Sequence, residues 1–220
     1  YKQDPEALTD LINRLLTTLS NEILECEGTI DKYMGDCIMA FWNAPASQDN
    51  HAELAIQAGV KMRKALKELN NELVGEGKLA MEIGIGINTG DCIVGNMGSD
   101  KRFDYTVLGD AVNLAARLEG QSGSYGVNIV LGEETAKKMP NYKLIELDLI
   151  AVKGKTEPVR IYTYLSDLHI DEAAKLKEPQ NAMLACYRNQ NWDAAERYLL
   201  MAKAQAPELE KYYQYFQERI

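Results

Sequence analysis

The chain has 220 residues, 46% of them hydrophobic, and a formal net charge of −9. That apolar content supports one domain of ordinary size plus a small appendage and excludes a disordered chain. The acidic balance argues against a protein that grips nucleic acid by its phosphates, but leaves room for a nucleotide site built from a few local cations.

In chain order, Leu8, Leu11, Ile12, Leu15, Leu16, Leu19 and Ile23 recur at helical spacing, predicting a helix over 5–27 with Pro5 in its first turn and Gly28 as its stop. Two β-favouring segments follow at 29–34 and 37–41. They are joined at Gly35-Asp36 as a hairpin with an acidic residue at its tip. Ala55, Ala58, Met62, Leu66, Leu69 and Leu73 predict a second amphipathic helix over 49–74. From Leu79 the pattern is extended to a turn at 89–91 and continues through 92–95. Its glycines suit close approach by a backbone or a ligand. Residues 98–102 read as a loop.

The stretch 103–120 runs from an extended segment through Gly109 into a helix on which Asn113 and Arg117, four residues apart, share one face. Taken alone it is an amphipathic helix packing Leu114 and Leu118 inward. An Asn beside the donor fork of an Arg also suits a phosphate or a sugar hydroxyl. A strand is predicted at 128–131, a short helix at 132–139, a strand at 143–152, a turn at 152–158 and a last strand at 159–165. Helices flanking such strands give an α+β fold. From Ser166 helix formers take over, with a break expected at 178–180. Ala195, Leu199, Ala202 and Pro207 fall at the spacing of the second helix of a tetratricopeptide repeat, although a plain helical hairpin fits as well. Such a tail cannot bury its own face and should dock on the domain or on another chain.

Cysteines 26, 37, 92 and 186 lack metal-ligand spacing. Cys26 and Cys37 could pair, but isolated cysteines among apolar neighbours point to thiols in a reducing compartment. With no run of membrane-helix length and no signal peptide, the expectation is a soluble, cytoplasmic fragment.

Three segments, GTIDKYMGD (28–36), GIGINTG (84–90) and TVLGDAVNLAARLE (106–119), resemble the signatures of class III nucleotidyl cyclases, and the resemblance extends over residues 4–165. It implies a ferredoxin-like antiparallel sheet with flanking helices for residues 1–166, and a short helical extension over 167–220. It also implies adenylate cyclase activity, making cyclic AMP and pyrophosphate from ATP with two divalent cations, Mg²⁺ or Mn²⁺. By position, Asp36 matches the family's second metal aspartate. Lys32 matches the lysine that donates to adenine N1, and Thr106 the residue that meets the 6-amino group. Asn113 matches the ribose-orienting residue, Arg117 the stabiliser of the α-phosphoryl group, and Lys153 the holder of the terminal phosphates, with Lys155 nearby. Because such sites form between two catalytic domains, the resemblance implies a head-to-tail homodimer with two equivalent sites. Guanylate cyclase, or a catalytically inactive nucleotide-binding or dimerisation module, is the alternative. A diguanylate cyclase lacks support because no GGDEF-type turn is present.

Two departures stand out. The family's first metal aspartate lies in a strand upstream of Tyr1, whereas Asp4 and Asp10 fall in or beside the first helix, so the expectation is that the N-terminal strand is missing here. Val127 stands where some relatives place an arginine, which throws more weight on Lys153. The tail also resembles those of bacterial cyclases with an upstream, membrane-tethered sensor.

Overall fold

The structure is a computed structural model that describes residues 5–139, 143–152, 157–166 and 168–220. Its first elements are α1 (Pro5–Glu25), β1 (Thr29–Met34), β2 (Cys37–Phe41), α2 (His51–Gly75), β3 (Ile85–Ile87), β4 (Ile93–Ser99) and β5 (Arg102–Leu108). Then come α3 (Asp110–Glu119), α4 (Ser122–Tyr125), β6 (Ile129–Gly132), α5 (Glu133–Lys137), β7 (Leu144–Ile150) and β8 (Val159–Tyr164). The tail is α6 (Ile170–Arg188), α7 (Trp192–Gln205), a 3-10 turn (Pro207–Leu209) and α8 (Glu210–Gln217).

Two compact units result, one formed by residues 1–83 and 91–110, the other by 84–90 and 111–220. In the first, Leu15 and Leu19 of α1 pack on Leu66, Leu69 and Leu73 of α2. Each such buried leucine contributes roughly 1.5–3 kcal/mol. Glu27, rather than Gly28, takes the left-handed conformation after α1, at a φ of 57°. The strands form two antiparallel ribbons, β1–β2 and β4–β5. Residues 98–102 are not a loop. Ser99 pairs with Arg102 and Gly98 with Phe103, so the hairpin closes on Asp100-Lys101 alone.

The second unit carries a four-stranded sheet in the order β3-β6-β8-β7. Its β3–β6 pairing is parallel and the other two are antiparallel, so this sheet is mixed. The extended reading of 79–88 shrinks to the three residues of β3, where Gly86 lets α3 press in. A Cβ there would overlap the backbone of Ala115 and Glu119. The tail packs on the same sheet. Leu176, Met183, Leu199, Tyr212, Tyr213 and Phe216 share one core with Ile145, Leu147 and Ile161.

The break expected at 178–180 does not occur, because α6 runs straight through Pro179. A mid-helix proline costs about 3 kcal/mol, and local packing outweighs it. Gln180 beside it is fully buried, its Nε2 donating to the Glu146 carbonyl at 2.8 Å and to the Tyr212 hydroxyl at 2.7 Å. Its Oε1 accepts from the Tyr213 hydroxyl at 3.0 Å. None of the four cysteines is in a disulfide, and of the four only Cys26 is buried.

Candidate active site

The β1–β2 ribbon is irregular at one point. Ile30 pairs with Ala40 and Lys32 with Met39, which leaves Asp31 as an extra residue in a bulge. Adjacent strand residues normally face opposite sides, and a bulge breaks that alternation and re-aims the side chains. The Lys32 ammonium lies 3.2 Å from Asp31 Oδ1. That contact is an ion pair without hydrogen-bond alignment, since Oδ1 is buried and accepts no hydrogen bond among the described residues.

The other carboxylate oxygen reaches the second ribbon. Asp31 Oδ2 accepts from the Thr106 hydroxyl at 2.6 Å and from the Val107 backbone N–H at 2.9 Å. Burial pushes the Asp31 carboxyl up, but the Thr106 hydroxyl, the Val107 amide and Lys32 outweigh it and hold the pKa below its ordinary 3.8. Lys32 and Thr106 therefore meet at one ionised carboxylate. Opposite Thr106 in the ribbon stands Gly95, where an added Cβ would meet nothing within 4 Å. Paired residues of an antiparallel ribbon share a face, so this face is open beside the Thr106 side chain.

Asp36 occupies the exposed turn between β1 and β2, as expected, and Gly35 supplies the positive φ of 67° that such two-residue turns demand. Around these groups Tyr33, Met34, Ile93, Phe103 and Leu108 remain exposed. Among the described residues no three His, Cys, Asp or Glu side chains gather as a metal cage.

In the second unit, Leu114 and Leu118 anchor α3 in the core while Asn113 is exposed. Asn88 fixes the helix start by donating to the Ala111 carbonyl at 3.0 Å. One turn after Asn113, Arg117 Nη1 is buried and has no hydrogen-bond partner among the described residues. A desolvated donor left unmade costs about 1–3 kcal/mol, and a bound anion would remove that cost. Lys153 and Lys155 lie outside the described residues. Val127 is buried in the core, a packing role rather than an anion-facing one.

Asp31 is the residue that sequence reasoning passed over. Its signal was present: two adjacent charges, Asp31 and Lys32, interrupt an otherwise apolar strand, and both cannot face the same side without a bulge.

A match to the family described as "Adenylate and Guanylate cyclase catalytic domain" spans residues 1–166. The chain belongs to that family. It is 36% identical over 167 residues to an adenylate cyclase of Anabaena cylindrica, covering 72% of this chain and 32% of that protein. To adenylate cyclase 1 of Rhizobium meliloti it is 30% identical, covering 73% of this chain and 24% of the relative. The chain thus spans about a third or less of these curated relatives. Among solved structures, the adenylyl cyclase CyaB of P. aeruginosa aligns with a TM-score of 0.69 and 39% identity over 76% of this chain and 88% of that one. A guanylyl cyclase aligns nearly as well, with a TM-score of 0.67 and 34% identity over 76% and 86%. Family membership therefore leaves the choice of purine to particular side chains. Family members generally use divalent metals.

Proposed function

We propose that the chain is the catalytic part of an adenylate cyclase, residues 1–166 forming the catalytic domain and 167–220 a helical tail. The observation that carries the reading is the meeting of Lys32 and Thr106 at Asp31, across a separation of 75 positions between Asp31 and Thr106. A lysine can only donate, which suits adenine N1, while a hydroxyl can accept from the 6-amino group. Guanine reverses both groups, offering N1–H and a 6-oxo acceptor.

The reaction is an in-line displacement. The ribose 3′ oxygen attacks the α-phosphorus, its proton leaves, and pyrophosphate departs. Asn113 would hold the ribose so that the 3′ oxygen faces phosphorus. The unpartnered nitrogen of Arg117 would receive the charge that gathers on the α-phosphoryl oxygens. Lys153 would hold the terminal phosphates. Asp36 is a hard oxygen donor of the kind Mg²⁺ takes one or two of, with substrate phosphates completing the shell. When bound, such cations neutralise charge on the attacking and leaving oxygens.

We propose further that two copies pair head to tail, one supplying Asp36 and the other Asn113 and Arg117. The apolar side chains left exposed on the ribbons support such pairing. An upstream sensor, membrane-tethered or not, belongs to the same proposal, and the sequence preceding Tyr1 tests it. No helix among the described residues is long and apolar enough to cross a membrane. The deciding assay compares cyclic nucleotide formation from ATP and GTP with Mg²⁺ or Mn²⁺. The reading expects cyclic AMP as the main product, and a GTP preference would make the enzyme a guanylate cyclase.

A further inference from the structure

A threonine hydroxyl is an ambiguous reader of a purine edge, because it both donates and accepts. On that ground Thr106 should tolerate a 6-oxo group almost as readily as a 6-amino group. The surroundings of Thr106 remove the ambiguity. Its hydroxyl has one proton, and Asp31 Oδ2 stands 2.6 Å away as a buried acceptor. An ionised carboxylate has nothing to donate, so the proton of this hydrogen bond must come from Thr106. What Thr106 Oγ1 has left to offer is lone pairs.

We infer that Asp31 is a specificity-determining positioning residue: by drawing the Thr106 proton onto its own carboxylate, it makes the hydroxyl an acceptor that takes a purine 6-amino group and repels a 6-oxo group. The inference rests on the adenylate cyclase reading of this site and names the device behind its choice of base. The same carboxylate steadies the Lys32 ammonium through its other oxygen at 3.2 Å. The bulge at Asp31 permits this, because it breaks the alternation that would send Asp31 and Lys32 to opposite faces. The base approaches Thr106, itself buried, over the face that Gly95 leaves open.

The test is made in the full-length protein, with affinities for ATP and GTP from calorimetry and turnover of both. Asp31→Ala should lower the ATP-over-GTP ratio at least about tenfold, the scale of one charge-assisted hydrogen bond. Asp31→Asn, which keeps one oxygen for the Thr106 and Val107 donors, should restore most of the ratio. In a Thr106→Val background, Asp31→Ala should change the ratio much less than it does in the wild type, the remainder being the part that passes through Lys32. An unchanged ratio in Asp31→Ala, or an equal loss with and without Thr106, overturns the assignment and leaves Asp31 a mere tie between ribbons.

Thr106→Val alone decides the matter if Asp31→Ala does not fold. A hydroxyl whose proton is committed gives guanine nothing, so this change should weaken ATP and spare GTP. Equal weakening of both overturns the proposal. A wild type that binds ATP yet forms no cyclic AMP would end the cyclase reading, while its affinity ratios would still judge Asp31.

Discussion

The two units each contain a buried carboxylate that gathers a hydroxyl, a backbone amide and a cation, yet the two groups do different things. In the first unit, Asp31 holds the Thr106 hydroxyl, the Val107 amide and, at 3.2 Å, Lys32. In the second, Asp148 accepts from the Tyr125 hydroxyl at 2.8 Å, the Leu149 amide at 2.7 Å and Arg219 at 2.9 Å. Around Asp148 the Tyr125 hydroxyl is buried, and Arg219, its side chain 35% exposed, is held against aromatic rings. Arg219 lies about 5 Å from the rings of Tyr187, Tyr215 and Phe216, and burial, then the hydrogen bond to Asp148, drives the Tyr125 phenol well above its ordinary range. Asp148 ties the end of the tail to β7.

Around Asp31 the partners keep unspent capacity. The Lys32 side chain is 42% exposed, and the Thr106 oxygen retains lone pairs. The same chemistry ties a chain end to a strand at Asp148, and at Asp31, on the reading proposed above, leaves Lys32 and the Thr106 lone pairs for a base.

That contrast breaks if site residues govern stability or seam residues govern turnover. The largest effect is expected at the site: Asn113→Ala or Arg117→Ala should cut the cyclisation rate at least about a hundredfold, the usual loss for one transition-state donor. The thermal midpoint should not fall, because Asn113 is exposed and Arg117 Nη1 has no hydrogen bond among the described residues to lose. At the seam, Asp148→Ala should cost about 2–4 kcal/mol in urea unfolding. This is below the full loss for a buried pair because the Arg219 side chain is 35% exposed. Its ATP-over-GTP ratio should match the wild type, and a shifted ratio would erase the distinction between the two carboxylates.

Tyr212→Phe removes the hydroxyl that donates to the Leu147 carbonyl and accepts from Gln180. A loss of about 1–2 kcal/mol is expected from the same unfolding curve. The smallest effect is that of acid. The Asp31 pKa is below 3.8 in the fold, so the unfolded chain binds the proton more readily. Its contribution is therefore complete at neutral pH and is lost only as the pH falls below 3.8 through the folded value. A carbon-13 titration of the Asp31 carboxyl would read this directly, and a midpoint above 3.8 would contradict the hydrogen bonds drawn to it.

Much of the scaffold was legible because its cause is local. β1 and β2 fall where alternation around Gly35-Asp36 puts them, and α1 ends at Glu25, two residues short of the expected last residue, 27. The Asn113/Arg117 pair needs only helical spacing to share a face. Legibility failed where distant contacts outvoted local signals. Pro179 reads as a breaker, but the buried Gln180 network carries the helix past it. Glycine, serine and arginine at 98–102 read as a loop, but cross-strand pairing draws three of those five residues into a ribbon. Lys153, expected to hold phosphates, lies outside the described residues and stays a proposal.

The sequence by itself determined the family, the kinds of elements and the identity of the polar groups, since periodicity and motif spacing are written into neighbouring residues. Only the tertiary structure decided that the tail docks on β7 and that a bulge turns Asp31 toward Thr106. Which way one hydroxyl proton points depends on a carboxylate 75 positions away, and no local pattern encodes the direction of a hydrogen bond made after the chain has folded.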